Sequence, residues 1–325
     1  MTEFLTLGEL GRGTHGVVYK VRELTTGETY ALKRVSLSTA EPLREVAILQ
    51  HLDHPHIVKF HGWFKENGAV HILMEYAAKG DLQQFVSQQR EKGQRIPETD
   101  IWKWAHQIVQ ALKYLHSKKI LHRDLKCLNV LLSAGGIAKL GDLGASKVAK
   151  TGRESTRVGT PMYLAPELVK QQPYDFKADL WGLGCVLYSL CCLEPPFKGD
   201  TVSILNKNIL SATPKPLPPG YSPRLNDLIC KCLRKLPEKR ISLEEVEQFF
   251  QKEKPIILPR YRRSSTKPTS QLSTLEDKAE EESLGNSTNR ARLFRRRVSV
   301  LPSIQATSGH HPKVAKVSIN DLKAF

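Results

Sequence analysis

The sequence predicts an α+β chain of two lobes: a small strand-rich lobe over about 1–76, then a larger helical lobe over about 77–254. A basic, Ser/Thr/Arg-rich and largely disordered tail is expected over 255–325. Three observations predict this. Short runs of β-branched and aromatic residues, punctuated by glycine, fill the first stretch. Long segments with apolar residues at helical spacing then take over. From Pro255 the apolar periodicity stops and Ser, Thr, Pro and Arg dominate, a composition that cannot bury a core. At 325 residues the chain is long enough for two sizeable cores and a tail.

The elements follow in order. Strands are expected near 4–10, 17–24 and 28–35. Glu41 to Leu52 places Leu43, Val46, Ala47, Ile48 and Leu49 on an amphipathic helix, which His54-Pro55 is expected to end. Strands near 57–64 and 69–76 complete the first lobe, and helices are expected at about 81–91, 98–117, 177–193, 201–210 and 222–235. No internal repeat is present.

Composition narrows the class of protein. The net charge is +16, and residues 255–325 carry 13 Lys/Arg against 6 Asp/Glu, so much of the excess lies in the tail. Such a tail can attract nucleic acid, acidic lipid or acidic protein. None of the six cysteines forms a CxxC pair, which argues against zinc, and their apolar surroundings read as reduced core positions. The opening MTEFLTLGEL lacks the basic-then-apolar order of a signal peptide, and the apolar window Leu180 to Leu193 is too short to span a bilayer. A soluble, cytoplasmic protein is expected, with a cytoskeletal or nuclear association left open.

Two stretches carry chemistry. The first is Gly11-Arg12-Gly13-Thr14-His15-Gly16 followed by Val17-Val18. Glycines let a backbone approach a polyphosphate closely. By itself this GxGxxG can be a dinucleotide fingerprint or a plain turn. Its place between two strands, rather than between a strand and a helix, disfavours the dinucleotide reading. Downstream, Tyr30-Ala31-Leu32-Lys33 ends an apolar strand in a lysine. A lysine that holds phosphates needs a carboxylate to fix its head, and Glu45 on the following helix is the natural partner. Glu41, at the helix start, is a weaker candidate, since it can simply serve the N-terminus. The strand ending Met74-Glu75-Tyr76-Ala77 can offer backbone groups to an adenine edge, or be an ordinary buried strand. Asp81 can cap the next helix.

The second stretch is His122-Arg123-Asp124-Leu125-Lys126-Cys127-Leu128-Asn129, which leads into apolar Val130-Leu131-Leu132. Phosphoryl transfer needs a group to orient the attacking hydroxyl, charge to offset the transferring phosphoryl, and oxygen ligands for Mg²⁺. Asp124 can accept the hydroxyl proton, Lys126 can offset charge, and Asn129 can ligate the metal. Gly141-Asp142-Leu143-Gly144 supplies a second oxygen ligand.

Taken together, GxGxxGxV, AxK, HRDLKxxN, DxG and Ala165-Pro166-Glu167 occur in the order of the protein-kinase signature set. The resemblance covers about residues 4–250 and implies a bilobal kinase fold that uses ATP and Mg²⁺. It implies that Gly11, Gly13, Gly16, Val18, Ala31, Lys33, Met74, Glu75, Ala77 and Asp81 surround the nucleotide, with Met74 as gatekeeper and Glu75 to Ala77 as hinge. Lys33 is then paired with Glu45, Asp124 is the catalytic base aided by Lys126, and Asn129 and Asp142 bind the metal. Glu167 is expected to pair with Arg240, and Asp179 to anchor the catalytic loop.

HRDLK together with Thr160, in Gly159-Thr160-Pro161, resembles serine/threonine kinases, in which Thr160 belongs to the substrate loop. Within these, VGTP-x-Y-x-APE and Leu193-Glu194-Pro195-Pro196-Phe197 look most like the NIMA-related (NEK) family. Leu143 stands where most kinases carry Phe, as it does in part of that family. No heptad is sustained in the tail, so the coiled coil many NEK members carry is not expected. A pseudokinase would lack Lys33, Asp124, Asn129 or Asp142, and all four are present.

The resemblance also implies protein substrates with Ser/Thr acceptors and an upstream activating kinase. Thr156, with Ser155 second, is the expected activating phosphosite, and Arg123 is the expected receiver of its charge. In the tail, serines follow Arg262-Arg263 and Arg295-Arg296-Arg297 closely. The tail is expected to be a solvated chain, with a polyanion or cytoskeletal contact as the alternative.

Overall fold

A computed structural model describes residues 3–13, 16–37, 41–148 and 161–250. Ser155, Thr156, Thr160 and the tail lie outside the described residues. The first lobe is built on one antiparallel sheet. Its strands are β1 (Phe4–Gly13), β2 (Gly16–Glu23) and β3 (Thr29–Ser36), then, after the helix α1 (Glu41–Leu49), β4 (Phe60–Glu66) and β5 (Ala69–Glu75). Their order is β1-β2-β3-β5-β4.

The register fixes what faces the cleft. Lys33 pairs with Val18 on one side and Ile72 on the other, and Ala31 pairs with Lys20 and Met74. Residues directly opposite in a ladder share a face. Val18, Lys33, Ala31 and Met74 therefore line one surface of the sheet.

In the first lobe three boundaries differ from the sequence expectation, and in the second the helix expected at 222–235 ends at Cys232. β1 runs on through Gly11 and Gly13, which pair with Val18 and Gly16, so the glycine loop is a strand hairpin. The first helix stops at Leu49 instead of Leu52. Its last turn tightens, with His51 N–H on Ile48 O (3.2 Å) and Leu52 N–H on Leu49 O (3.1 Å), a common way to satisfy terminal carbonyls. His54-Pro55 lies beyond that end. The expected strand at 57–64 begins only at Phe60. Ile57 and Val58 turn instead to residue 140 of the second lobe, where Val58 N–H meets Leu140 O at 2.9 Å.

The second lobe opens with α2 (Leu82–Glu91), capped by Asp81, whose carboxylate accepts the Gln84 N–H at 2.8 Å. In α3 (Glu98–Ser117), Ile101, Trp104, Ala105, Ile108, Leu112 and Leu115 are buried at helical spacing. Two short ladders follow, β6 (Ile120–Leu121) against β9 (Lys147–Val148) and β7 (Val130–Leu132) against β8 (Ala138–Leu140). After the single turn α4 (Pro166–Val169) comes α5 (Lys177–Cys192), which is buried on nearly every face and forms the axis of the lobe. Helices α6 (Val202–Ser211), α7 (Pro223–Cys232) and α8 (Leu243–Gln248) pack outside it, and each opens on a hydroxyl cap: Thr201, Ser222 and Ser242. Cys127, Cys185, Cys191 and Cys232 are buried as expected. Cys230 is exposed, because it falls on the outer face of α7. Among the described residues no helix is long and apolar enough to cross a membrane.

Candidate active site

A cleft of about 600 Å³ separates the lobes. Its walls include Gly11, Gly13, Gly16, Val18, Ala31, Lys33, Met74, Glu75, Ala77, Asp81, Lys126, Asn129 and Asp142. Glu45 and Asp124 reach this cleft through partners. Every predicted site residue that lies among the described residues thus falls in one neighbourhood.

Lys33 is the focus of the first wall. Its ammonium lies 2.7 and 2.9 Å from the two Glu45 oxygens and 2.8 Å from Asp142 Oδ1. Both Lys33 and Glu45 are buried. Burial alone would lower the ammonium's pKa, but the Glu45 and Asp142 carboxylates outweigh it and the net shift is upward. The cation is therefore held charged. The partner is Glu45, which lies one turn beyond the start of α1.

Asp142 reaches Lys33 from a left-handed backbone turn at φ 49° and ψ 71°, a conformation that Asp tolerates better than most residues. Gly144 makes room just beyond. A methyl there would sit 3.2 Å from Glu45 Oε2 and 3.3 Å from Asp142 Oδ1. Leu143 between them is buried in the core, on the turn that packs beside α1.

The second wall is the segment from His122 to Asn129. Lys126 Nζ lies 2.6 Å from Asp124 Oδ2. The Asn129 amide donates to the Asp124 backbone carbonyl (2.8 Å) and to Oδ2 (3.0 Å). Asp124 is thus oriented by a cation and an amide, and the Asn129 carbonyl oxygen is left as that side chain's acceptor. The apolar run that follows forms β7 and fixes this loop to the core, with Val130 and Leu132 buried.

Asp179 supports the loop from beneath. It accepts the His122 N–H (3.0 Å) and the Arg123 N–H (2.9 Å), where Arg123 takes a positive φ of 72°. Burial would raise the Asp179 pKa, but His116, His122 and the Arg123 N–H outweigh it and hold the carboxyl below its ordinary value. His116 is a residue that sequence reasoning missed: its Nε2 lies 2.8 Å from Asp179 Oδ2. A polar ring near the C-terminal end of an apolar helix face was the available signal. Further off, Arg240 and Glu167 form the expected pair, both buried.

The donor set fits a magnesium ion that arrives on a polyphosphate. Such an ion takes one or two protein oxygens and fills its remaining sites with phosphate and water. Asn129 and Asp142 offer two hard oxygen donors on one cleft. Among the described residues no group of three or more His, Cys, Asp or Glu could hold a metal by itself.

A small antiparallel lobe, a helical lobe, and a cleft that gathers glycine backbone, a clamped lysine and an Asp-Lys-Asn loop define a phosphoryl-transfer fold. The protein kinase domain model matches residues 4–250, and the chain belongs to that family. Within it the chain is similar to Nek serine/threonine-protein kinases. It is 39% identical to Nek5 of Mus musculus over 248 residues (75% of this chain, 39% of that protein). It is 37% identical to Nek1 of Mus musculus over 254 residues (76% and 21%). It is also 37% identical to Nek11 of Homo sapiens over 250 residues (73% and 38%). The chain therefore spans less than half the length of each of these relatives.

Proposed function

We propose that the chain is an ATP-dependent serine/threonine protein kinase that transfers the γ-phosphoryl group of Mg-ATP to protein hydroxyls. One observation carries this reading: Lys33 is clamped between Glu45 and Asp142 on the cleft that Lys126 and Asn129 also line, and both of these hold Asp124.

Each residue then has a task. The glycine hairpin lets backbone approach the phosphates. Lys33 holds phosphate oxygens, with Glu45 fixing its head. Asp124 orients the acceptor hydroxyl and takes its proton, while Lys126 keeps positive charge beside it. Asn129 and Asp142 hold Mg²⁺, which when bound neutralises charge on the β- and γ-phosphates. Met74, Glu75 and Ala77 border the adenine side.

The switch belongs to the same proposal. Phosphate on Thr156, with Ser155 second, meets Arg123 and orders the segment that ends at Glu167; Thr160 lies in the substrate loop. An upstream kinase supplies that phosphate where the chain does not. A contact of the basic tail with a polyanion or the cytoskeleton rests on its charge alone, and a cytoplasmic location, with a cytoskeletal or nuclear association as the alternative, is part of the same proposal.

The experiment is ATP-dependent transfer of labelled phosphate to generic Ser/Thr substrates, with wild type beside Asp124→Asn and phosphosites mapped. Transfer that falls by about 10²- to 10⁴-fold in the variant is expected. Equal rates in the two proteins would sink the catalytic assignment. Full activity of Thr156→Ala purified from cells would remove the switch and leave the enzyme.

A further inference from the structure

Glu75 borders the nucleotide cleft, yet its side chain turns to a different task. The carboxylate Oε2 lies 2.8 Å from the Lys139 ammonium and also accepts the Lys59 N–H at 3.2 Å. Residue 59 is tied in return, because the Glu75 N–H donates to Lys59 O at 2.9 Å. Glu75 ends β5, the last strand of the first lobe, and Lys139 stands at the centre of β8 in the second. The pair therefore crosses the seam between the lobes.

Its surroundings make this a shaped contact. The side chains are 14% exposed for Lys139 and 27% for Glu75, so the pair is partly shielded from water and screened less than a free surface pair. Beside it, β8 is stitched to the segment before β4 by Val58 N–H on Leu140 O (2.9 Å) and Leu140 N–H on His56 O (2.8 Å). Lys139 also pairs across the ladder with Leu131, which lines the nucleotide cleft. Lys139 thus reaches the hinge strand from the face of the ladder on which Leu131 lines the cleft. A second pair, Lys33 with Asp142, joins the lobes inside the cleft.

We propose that Lys139 is a positioning residue of the nucleotide hinge, holding Glu75 across the lobes so that cleft opening, and with it product release, is slowed. This rests on the kinase reading above, since it is the bound nucleotide that the hinge retains. Release through lobe opening limits turnover in many enzymes that close on their substrates. A tie that favours the closed cleft lowers the population of the open one, so its loss acts on release of what the cleft retains.

The test is the dissociation rate of a fluorescent ADP from the full chain, followed by stopped flow. Lys139→Met is expected to release it about two- to fivefold faster than wild type, the range set by a partly exposed ion pair. Lys139→Arg is expected to restore the slow rate. Lys139→Met added to Glu75→Gln is expected to give no further increase. Thermal melts of each variant separate this effect from a loss of folding. An unchanged rate in a folded Lys139→Met protein, or an Arg variant as fast as the Met variant, overturns the proposal. Folded wild type that binds no ADP overturns the kinase reading itself, and the proposal falls with it.

Discussion

Arg240 holds Glu167 through two parallel bonds, Nη1 to Oε1 at 2.7 Å and Nη2 to Oε2 at 2.9 Å, with both residues buried. The same guanidinium donates to the backbone oxygens of Arg234 (3.0 Å) and Lys177 (2.8 Å). It therefore ties the end of the activation segment to α5 and to the loop before α8.

Removing one partner should be costly. Arg240→Met strands a buried carboxylate, and we expect a loss of about 3–5 kcal/mol in denaturant unfolding. Adding Glu167→Leu should recover only part of this, because the carbonyls of Arg234 and Lys177 still lose their donor. A fully additive double variant would refute the coupling.

Two glycines of the same hairpin should behave differently. Gly16 has φ 113°, and a methyl there would lie 2.3 Å from the Arg34 carbonyl oxygen. Gly16→Ala is expected to cost about 1–3 kcal/mol of stability. A methyl on Gly11 meets nothing within 4 Å. Gly11→Ala should leave stability within about 0.5 kcal/mol while weakening ATP binding. Denaturant curves and nucleotide titrations read the two effects separately, and an unaltered ATP affinity in Gly11→Ala would count against phosphate contact at that position.

Lys235 gives a pH signature. Its ammonium stands 3.8 Å from the Phe197 ring centre and 5.1 Å from that of Trp181, and it donates to Ile209 O at 2.7 Å. Burial, with Arg240 adding to it, lowers its pKa from 10.5 to about 8. Between those two values the unfolded chain holds a proton that the folded chain has lost, so this group's contribution to stability rises with pH across that window. Melting temperatures of wild type and Lys235→Met, compared from pH 7 to 10, should diverge in favour of wild type above about pH 8. A constant difference would show that the amine titrates normally.

His116 offers a fourth test. His116→Phe removes the ring nitrogen bound to Asp179 and leaves the two backbone bonds at His122 and Arg123 in place. About 1–3 kcal/mol of stability should be lost, with a smaller drop in turnover than Asp179→Ala produces. Unfolding and steady-state rates measure both, and a His116→Phe protein as stable as wild type would contradict the supporting role.

Much of the site was legible because its chemistry is written locally. Asp124, Lys126 and Asn129 lie within six positions, and Asp142 follows in one short motif. Glu45 could be preferred over Glu41 because helix position separates them. Elements of two or three residues, such as β6 and β9, are too short to carry a period. The start of β4 was misplaced because Ile57 and Val58 look like strand residues but find their backbone partners in the other lobe. A contact between surface-type residues far apart in sequence, such as Glu75 with Lys139, leaves no pattern to read.

Lys33 has three N–H donors, and three carboxylate oxygens already stand around them: two on Glu45 and one on Asp142. A phosphate oxygen entering this site arrives by exchange, displacing an acceptor that the protein supplied. Nucleotide affinity is then a difference between two ligands competing for one cation. Moving Asp142 aside should free one N–H for phosphate, while Glu45, with both oxygens on the ammonium, keeps the head group placed.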